Sequence, residues 1–396
     1  MADNKKPETQ KVEVHKGLVG VHVDDSKVSR IVPETNSLTY RGYAVQDLSE
    51  HCRFEEVAYL IWHGDLPTKT QLADFEKTER SLRQIDDTLL DVMKKLRPDA
   101  HPMDVLRTAI SFLGAQDPKW ADESPKANLE KSLNMMAKLP TIVAAWSRIK
   151  DGKEPIAPRD DLAYSANFLH MMNGKMAEPA VLKAFDISMI LYAEHSFNVS
   201  TFTARTITSS LSDIYSAVTG AIGSLKGRLH GGANEAALDM IQEVGDPSNA
   251  RQWMEDALTQ KKKIMGFGHA VYKNGDSRVP TLKKAFNEVA KLRGGEKMGQ
   301  TMDILEQTML EKKNIKPNVD FPAAGLYYLM GIEKDLYTPL FVMARITGWT
   351  AHIMEQLEDN KLIRPLCTYS GEAQRPVVPL EQRGAGAPAK KPDIKP

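Results

Sequence analysis

Helix punctuation recurs along this chain far more often than any strand signal, and it limits the fold more than any other feature. Pro102 opens an apolar stretch from Met103 to Leu113 that Gly114 closes, and Glu178-Pro179 opens one with Leu182, Phe185, Met189 and Tyr192 at helical spacing. Asp246-Pro247 opens another after Gly245. Thr338-Pro339 supplies an N-cap residue and a first-turn proline, followed by Leu340, Met343, Ala344, Thr347, Gly348 and Ala351 on one stripe. A capping side chain satisfies amides that the first turn leaves free, and proline in that turn sacrifices no hydrogen bond. The small residues of the last stripe let another helix pack closely. Val21-His22-Val23 and Ser37-Leu38-Thr39-Tyr40 are the clearest strand candidates. The expected class is therefore all-α, with at most a small N-terminal β-hairpin.

The chain has 396 residues, enough for two or three domains. Lys plus Arg equals Asp plus Glu at 52 each, so no net field draws nucleic acid or an anionic membrane. Cys52 and Cys367 are the only cysteines, too few for a disulfide framework or a cysteine-rich zinc site, which points to a reducing compartment. Met1 to Lys16 is polar and carries acidic residues, unlike a secretory signal or a mitochondrial presequence, and no window approaches 18 uninterrupted apolar residues. A cytoplasmic location is expected. Glycines crowd Gly220 to Gly232 and punctuate Gly325 and Gly331, so a helical unit of residues 220–331 is expected to move against a larger domain of 1–219 and 332–396. Asp151 to Asp161 reads as a surface loop, and Gly384 to Pro396 as a disordered tail.

The familiar nucleotide, zinc-protease and serine-hydrolase signatures are absent, and the histidines are too scattered to suggest a metal. Asn198-Val199-Ser200 matches a glycosylation pattern by chance. The chemistry gathers instead in Leu229-His230-Gly231-Gly232, Gly266-Phe267-Gly268-His269 and Asn318-Val319-Asp320-Phe321-Pro322, with His195 upstream in Ala193-Glu194-His195-Ser196. A lone histidine beside glycines is more often a loop residue satisfied by the backbone. His230 stands out because Gly231-Gly232 reads as the start of a helix from Ala233, whose free amides and positive end disfavour an imidazolium. A neutral ring there can donate a hydrogen bond to a forming enolate. His352, on the Thr350 to Glu355 face of a helix, reads as a structural or supporting residue. An aspartate with two histidines can remove a proton beside a carbonyl and control the charge that results.

Three arginines form a second group. Arg278 follows His269 by nine residues, Arg345 lies inside the apolar run Phe341 to Ile346, and Arg364 precedes a proline. A guanidinium in an apolar helix needs a partner, and its planar fork suits a carboxylate. An internal salt bridge accounts for Arg345 as readily as a substrate does. All three with the histidines point to a substrate bearing two or more carboxylates.

On these segments, in this order and spacing, the chain resembles the citrate synthase family from about Gly17 to Gly371. His101-Pro102-Met103-Asp104-Val105-Leu106-Arg107-Thr108, Thr338-Pro339-Leu340-Phe341-Val342 and Ile346-Thr347-Gly348-Trp349-Thr350-Ala351-His352 are most similar to the 2-methylcitrate synthases and short bacterial citrate synthases. The resemblance implies an all-helical fold with a small domain closing on oxaloacetate. It implies Asp320 as the base that takes a proton from the acyl-CoA, His230 as the group that stabilises the enolate, and His269 as the donor to the oxaloacetate carbonyl. His195, Arg278, Arg345 and Arg364 are implied as oxaloacetate ligands, Arg364 coming from the partner subunit of a homodimer. Lys273 and Lys316 are implied as contacts to coenzyme A, though a solvated surface lysine explains each equally well. The resemblance implies a coenzyme A thioester as substrate, and no cofactor or metal. A dedicated citrate synthase, a non-catalytic polycarboxylate or coenzyme A sensor and a helical scaffold are the competing readings.

Overall fold

The computed structural model describes residues 14–32, 35–269, 271–272 and 274–383. By its internal contacts the chain divides into two units, one formed by residues up to 23 together with those from 364 onward, the other by Asp24–Ile363. In the first unit the described residues carry no α-helix or strand, only single 3-10 turns at Lys16–Leu18 and Leu380–Gln382. The tail expected at Gly384 to Pro396 lies outside the described residues.

Asp24–Ile363 carries the sixteen α-helices found among the described residues. They are α1 Val45–His51, α2 Phe54–His63, α3 Lys69–Ser81, α4 Asp87–Lys94, α5 Pro102–Gln116, α6 Pro125–Ile149, α7 Tyr164–Asn173 and α8 Pro179–Tyr192. Then come α9 Val199–Ser209, α10 Ile214–Leu225, α11 Ala233–Val244, α12 Pro247–Thr259, α13 Val279–Arg293, α14 Glu296–Lys313, α15 Asp320–Leu329 and α16 Tyr337–Glu358. The all-α reading holds.

The punctuation explains most starts. Pro102, Pro179 and Pro247 each occupy a first-turn position, and the Asp246 carboxylate accepts the Ser248 amide. Two expectations shift. Gly114 does not end α5, which runs on to Gln116. Its missing side chain instead admits α10, because a Cβ there would sit 2.7 Å from Tyr215 Cβ. Helix α16 starts at Tyr337, one residue before the expected cap, and the Thr338 hydroxyl faces Glu235 and the Gly231 carbonyl instead.

The sheet corrects one strand. Val21-His22-Val23 has no strand structure, and the partner of Ser37–Tyr40 (β2) is Ser29–Val32 (β1), antiparallel with Ser29 opposite Tyr40. Tyr43–Ala44 (β3) completes three strands. Val28, just before β1, and Leu38 in β2 are fully buried, whereas Val21 and Val23 stay substantially exposed.

Helix α16 is the axis of the core. All but a few of its residues are buried, and it packs against α6, α8, α9 and α10. Its small-residue stripe meets a loop more intimately than a helix: a Cβ on Gly348 would lie 2.2 Å from Glu194 Oε2 and 2.7 Å from Ala193 O. Helices α11 to α15 pack mainly on one another, α12 on α14 and α15 on α11 and α13. The expected boundary at residue 220 falls inside α10.

Candidate active site

Asp320 is the first residue of α15, and Pro322 two residues on sits in the turn whose amides have no helical partner. The Asn318 side chain ties the segment at both ends. Its Oδ1 accepts the Asp320 amide at 3.1 Å and its Nδ2 donates to Gly268 O at 2.9 Å. Gly268 N donates to Lys316 O, and Asn318 N to Gly266 O, each at 2.9 Å, so the Asp320 and His269 segments run side by side. Gly266 and Gly268 both have left-handed φ, at 82° and 76°, and a Cβ on Gly266 would lie 3.1 Å from Phe321 Cβ. The glycines that flagged this motif are therefore required by its backbone.

The Tyr192 hydroxyl donates to Asp320 Oδ1 at 2.7 Å. Asp320 keeps some exposed surface, yet protein surrounds it closely enough that burial pushes its pKa up to about 6. Tyr192, Arg278 and Arg345 act against that rise. The carboxyl is thus poised to take up or hold a proton near neutral pH.

His230 meets a helix start, though not the expected one. Helix α11 does begin at Ala233, but the amide that reaches the imidazole is that of Ser200, in the first turn of α9, 3.3 Å from Nε2. A backbone N–H can only donate, so Nε2 is the unprotonated acceptor and the neutral ring carries its proton on Nδ1. Ser200 Oγ lies 2.7 Å from the same nitrogen and receives Trp349 Nε1–H at 3.1 Å. Burial first, then Arg345, holds the pKa of His230 down to about 3. The expectation of a neutral ring stands, but its cause is burial and Arg345 rather than the start of α11, and the Ser200 amide fixes which nitrogen keeps the proton.

His269 follows the same logic. The Val271 amide donates to its Nδ1 at 3.1 Å, leaving Nε2 as the N–H donor, and burial with Arg278 lowers its pKa to about 4. His195 lies beside it, ring centroids 5.0 Å apart, with Tyr272 packed edge-on to both. His195 Nε2 is 3.2 Å from Tyr272 Oη, and burial keeps this ring well below its ordinary pKa.

The arginines differ in what they hold. Arg278 grips Asp276 through Nε at 2.9 Å and Nη2 at 2.7 Å, both residues being buried, so one edge of its fork is already taken. Arg345 has no such partner. Its Nε donates to Tyr192 O at 2.7 Å and its guanidinium lies 4.7 Å from the Phe341 ring centre, but Nη1 is buried without a hydrogen bond. Among the described residues no carboxylate lies within salt-bridge distance of it, so the internal salt bridge does not form. Burial drives its pKa down to about 10. A buried cation with an unused donor is costly unless an anion completes it.

Phe341 joins the parts: its ring lies 4.4 Å from Tyr192 and 6.1 Å from His230. Contacts thus run from His230 through Phe341 and Tyr192 to Asp320, and across the paired segments to His269 and His195. Lys316 is exposed, donates from Nζ to Asn274 O at 3.1 Å, and borders a cavity of about 290 Å³ shared with His269, Tyr272 and Gly275. Arg364 is exposed in the unit outside Asp24–Ile363, and Lys273 lies outside the described residues. Among the described residues no group of three His, Cys, Asp or Glu side chains is placed to hold a metal.

Sequence reasoning passed over Tyr192, Tyr272, Phe341 and Ser200. Tyr192 reads as one more member of the α8 apolar stripe, and only its hydroxyl three residues before His195 hints at more. Ser200 lies within the Asn198-Val199-Ser200 pattern set aside as a chance match, and Tyr272 three residues beyond His269.

A helical protein with a carboxyl group poised near neutrality, two neutral imidazoles and a buried guanidinium with an unused donor has the groups of an acid–base enzyme. The pattern described as citrate synthase, C-terminal domain, matches residues 17–366, and the chain belongs to the citrate synthase family. It is 56% identical over 371 residues to a protein named citrate synthase from Mycolicibacterium smegmatis, covering 94% of this chain and 99% of that one. It is also 56% identical over 366 residues to a 2-methylcitrate synthase from Mycobacterium tuberculosis, covering 92% and 93%. Among solved structures it superposes with a TM-score of 0.88 at 30% identity on the Thermoplasma acidophilum citrate synthase, in ternary complex with carboxymethyl coenzyme A and oxaloacetate, covering 94% of this chain and all of that one.

Proposed function

We propose that this protein condenses an acyl-CoA with oxaloacetate and water, releasing coenzyme A. The best reading is a 2-methylcitrate synthase that uses propionyl-CoA and also makes citrate from acetyl-CoA. The observation that carries it is Arg345, a buried guanidinium with a free donor beside a carboxyl group and two donor imidazoles, an arrangement completed by a dicarboxylate.

Asp320 takes the proton from the carbon next to the thioester carbonyl, and His230 Nδ1–H hydrogen-bonds the oxygen on which charge develops. Without that donor the weakly acidic proton is beyond the reach of a carboxylate. The nucleophilic carbon then attacks the oxaloacetate ketone, whose oxygen His269 Nε2–H stabilises as the carbon–carbon bond forms. Water cleaves the resulting thioester. His195, Arg278 and Arg345 hold oxaloacetate, the arginines through its carboxylates, and Arg364 of a second copy completes the set in a homodimer. Lys316 and Lys273 meet the phosphates of coenzyme A. Residues 220–331 close over the substrates as a small domain, excluding water until condensation is complete. No cofactor takes part, and the chain works in the cytoplasm, consistent with two unpaired cysteines and with no described helix long and apolar enough to cross a membrane.

A dedicated citrate synthase is the second reading, favoured by the name of the Mycolicibacterium smegmatis relative. One methylene in an apolar pocket is worth about 1–3 kcal/mol, so both acyl groups are expected to react. Thiol release from oxaloacetate with acetyl-CoA or propionyl-CoA tests both readings. Higher kcat/KM for propionyl-CoA supports the first, higher kcat/KM for acetyl-CoA the second, and no thiol release with either removes both.

A further inference from the structure

The loop between α8 and α9 delivers His195 to the site, and its conformation is not self-supporting. Ser196 has a left-handed φ of 53°, unfavourable for a residue with a Cβ. Beneath it, Glu194 is wholly buried, and its carboxylate folds back to accept the Ser196 amide. The same Oε1 accepts Ser29 Oγ–H at 2.8 Å and faces His352 Nε2 at 2.9 Å. Ser29 Oγ in turn accepts the Ser196 amide at 2.9 Å. Tyr40 Oη lies 3.0 Å from both the Ile190 and Glu194 carbonyls. Strands β1 and β2 thus pin the loop from one side while α16 supports it from the other.

His352 is buried completely, with Nδ1 3.2 Å from Arg205 Nη1 and 3.5 Å from Glu355 Oε2. Arg205 also bonds Glu355 at 2.9 Å and Asp24 at 2.6 Å. His352 Nε2–H is therefore a fixed donor, and Glu194 keeps its charge despite burial, chiefly through His352 with help from Arg345. Glu194 Oε2 has no hydrogen bond, and neither does Arg345 Nη1. The mechanism above uses none of Ser29, Glu194 or His352.

The geometry points to Glu194 and His352 as positioning residues for the oxaloacetate half of the site: their hydrogen-bonded pair locks the left-handed turn at Ser196 and so sets where His195 stands. The inference rests on the reading that His195 and Arg345 bind oxaloacetate. An unlocked loop affects that substrate selectively, because the contacts found at Lys316 lie on another segment. A misplacement of about 1 Å at such a site can cost about a hundredfold.

The test compares His352→Ala, His352→Gln and Glu194→Gln with the unmodified enzyme by thiol release, varying each substrate in turn. Activity of the unmodified enzyme is the control for the functional reading; without it that reading fails and the variants say nothing against the loop. With it, His352→Ala is expected to raise the oxaloacetate KM by about tenfold or more with the acyl-CoA KM nearly unchanged. His352→Gln, which retains an N–H donor, is expected to recover most of the loss. An unchanged oxaloacetate KM, or equal rises for both substrates, overturns the proposal. If His352→Ala fails to fold, Glu194→Gln decides, since it keeps the side-chain shape but removes the charge that holds both the Ser196 amide and His352 Nε2–H. A several-fold rise confined to oxaloacetate supports the lock, and no change overturns it.

Discussion

The Tyr192 hydroxyl donates to Asp320 Oδ1 at 2.7 Å across 128 residues of chain. Tyr192 ends α8 and Asp320 begins α15, so two helix termini meet in one hydrogen bond. That bond stabilises the ionised carboxylate and opposes the burial that favours the protonated form.

Activity should therefore depend on pH through Asp320. As a base it must be ionised, so kcat/KM is expected to fall as pH drops through about 6. Tyr192→Phe removes a hydrogen bond that lowers the Asp320 pKa, so the acid limb should move to higher pH. A pH–rate profile of both enzymes measures this, and an unmoved limb would show that Tyr192 does not tune the base.

Asp320→Ala should lower turnover by orders of magnitude while oxaloacetate still binds, as measured by calorimetry. Asp320→Asn should also make the protein more stable at neutral pH. A carboxyl whose folded pKa is raised costs nothing below its unfolded value near 4, and the penalty grows as pH rises to about 6. The gain in the variant is about 1–3 kcal/mol above pH 6, shrinking to nothing by about pH 4, and denaturant melts across that range read it.

The ring of His230 should stay neutral with its proton on Nδ1 throughout the neutral range, since its pKa is held down to about 3. Nitrogen chemical shifts of the labelled histidine report the tautomer directly, and an imidazolium at pH 7 would contradict the assignment. Losing a donor to a developing oxyanion typically slows catalysis by about 10²–10³, the expected effect of His230→Ala on kcat.

Arg345→Met should separate binding from stability. Oxaloacetate affinity should fall by about a hundredfold or more, because a charge-assisted contact is lost where water is scarce. The unliganded protein should become more stable by about 1–3 kcal/mol, the usual penalty for a buried polar group left unsatisfied. Calorimetric titration and thermal melting without ligand test the two halves, and a destabilised variant would mean that Phe341 and Tyr192 already satisfy the guanidinium.

What could be read in the chain was local. Proline in the first turn marks a helix start because the amide it lacks has no helical partner there, and Pro102, Pro179 and Pro247 act so. Gly266 and Gly268 mark a backbone with positive φ, again a property of one or two residues. These signals carried the fold class and the segments that hold His230, His269 and Asp320. Gly114 misled, because a glycine that admits a neighbouring helix looks the same in sequence as one that ends its own.

Tertiary structure alone decided that the Ser200 amide faces His230, and hence that Nδ1 of that ring keeps its proton. It also decided that Tyr192 reaches Asp320 and that, among the described residues, Arg345 finds no carboxylate within salt-bridge distance. The physical reason is range. Helix punctuation acts between atoms a few bonds apart, whereas pKa values, tautomers and unmet charges depend on desolvation and partners from helices remote in the chain.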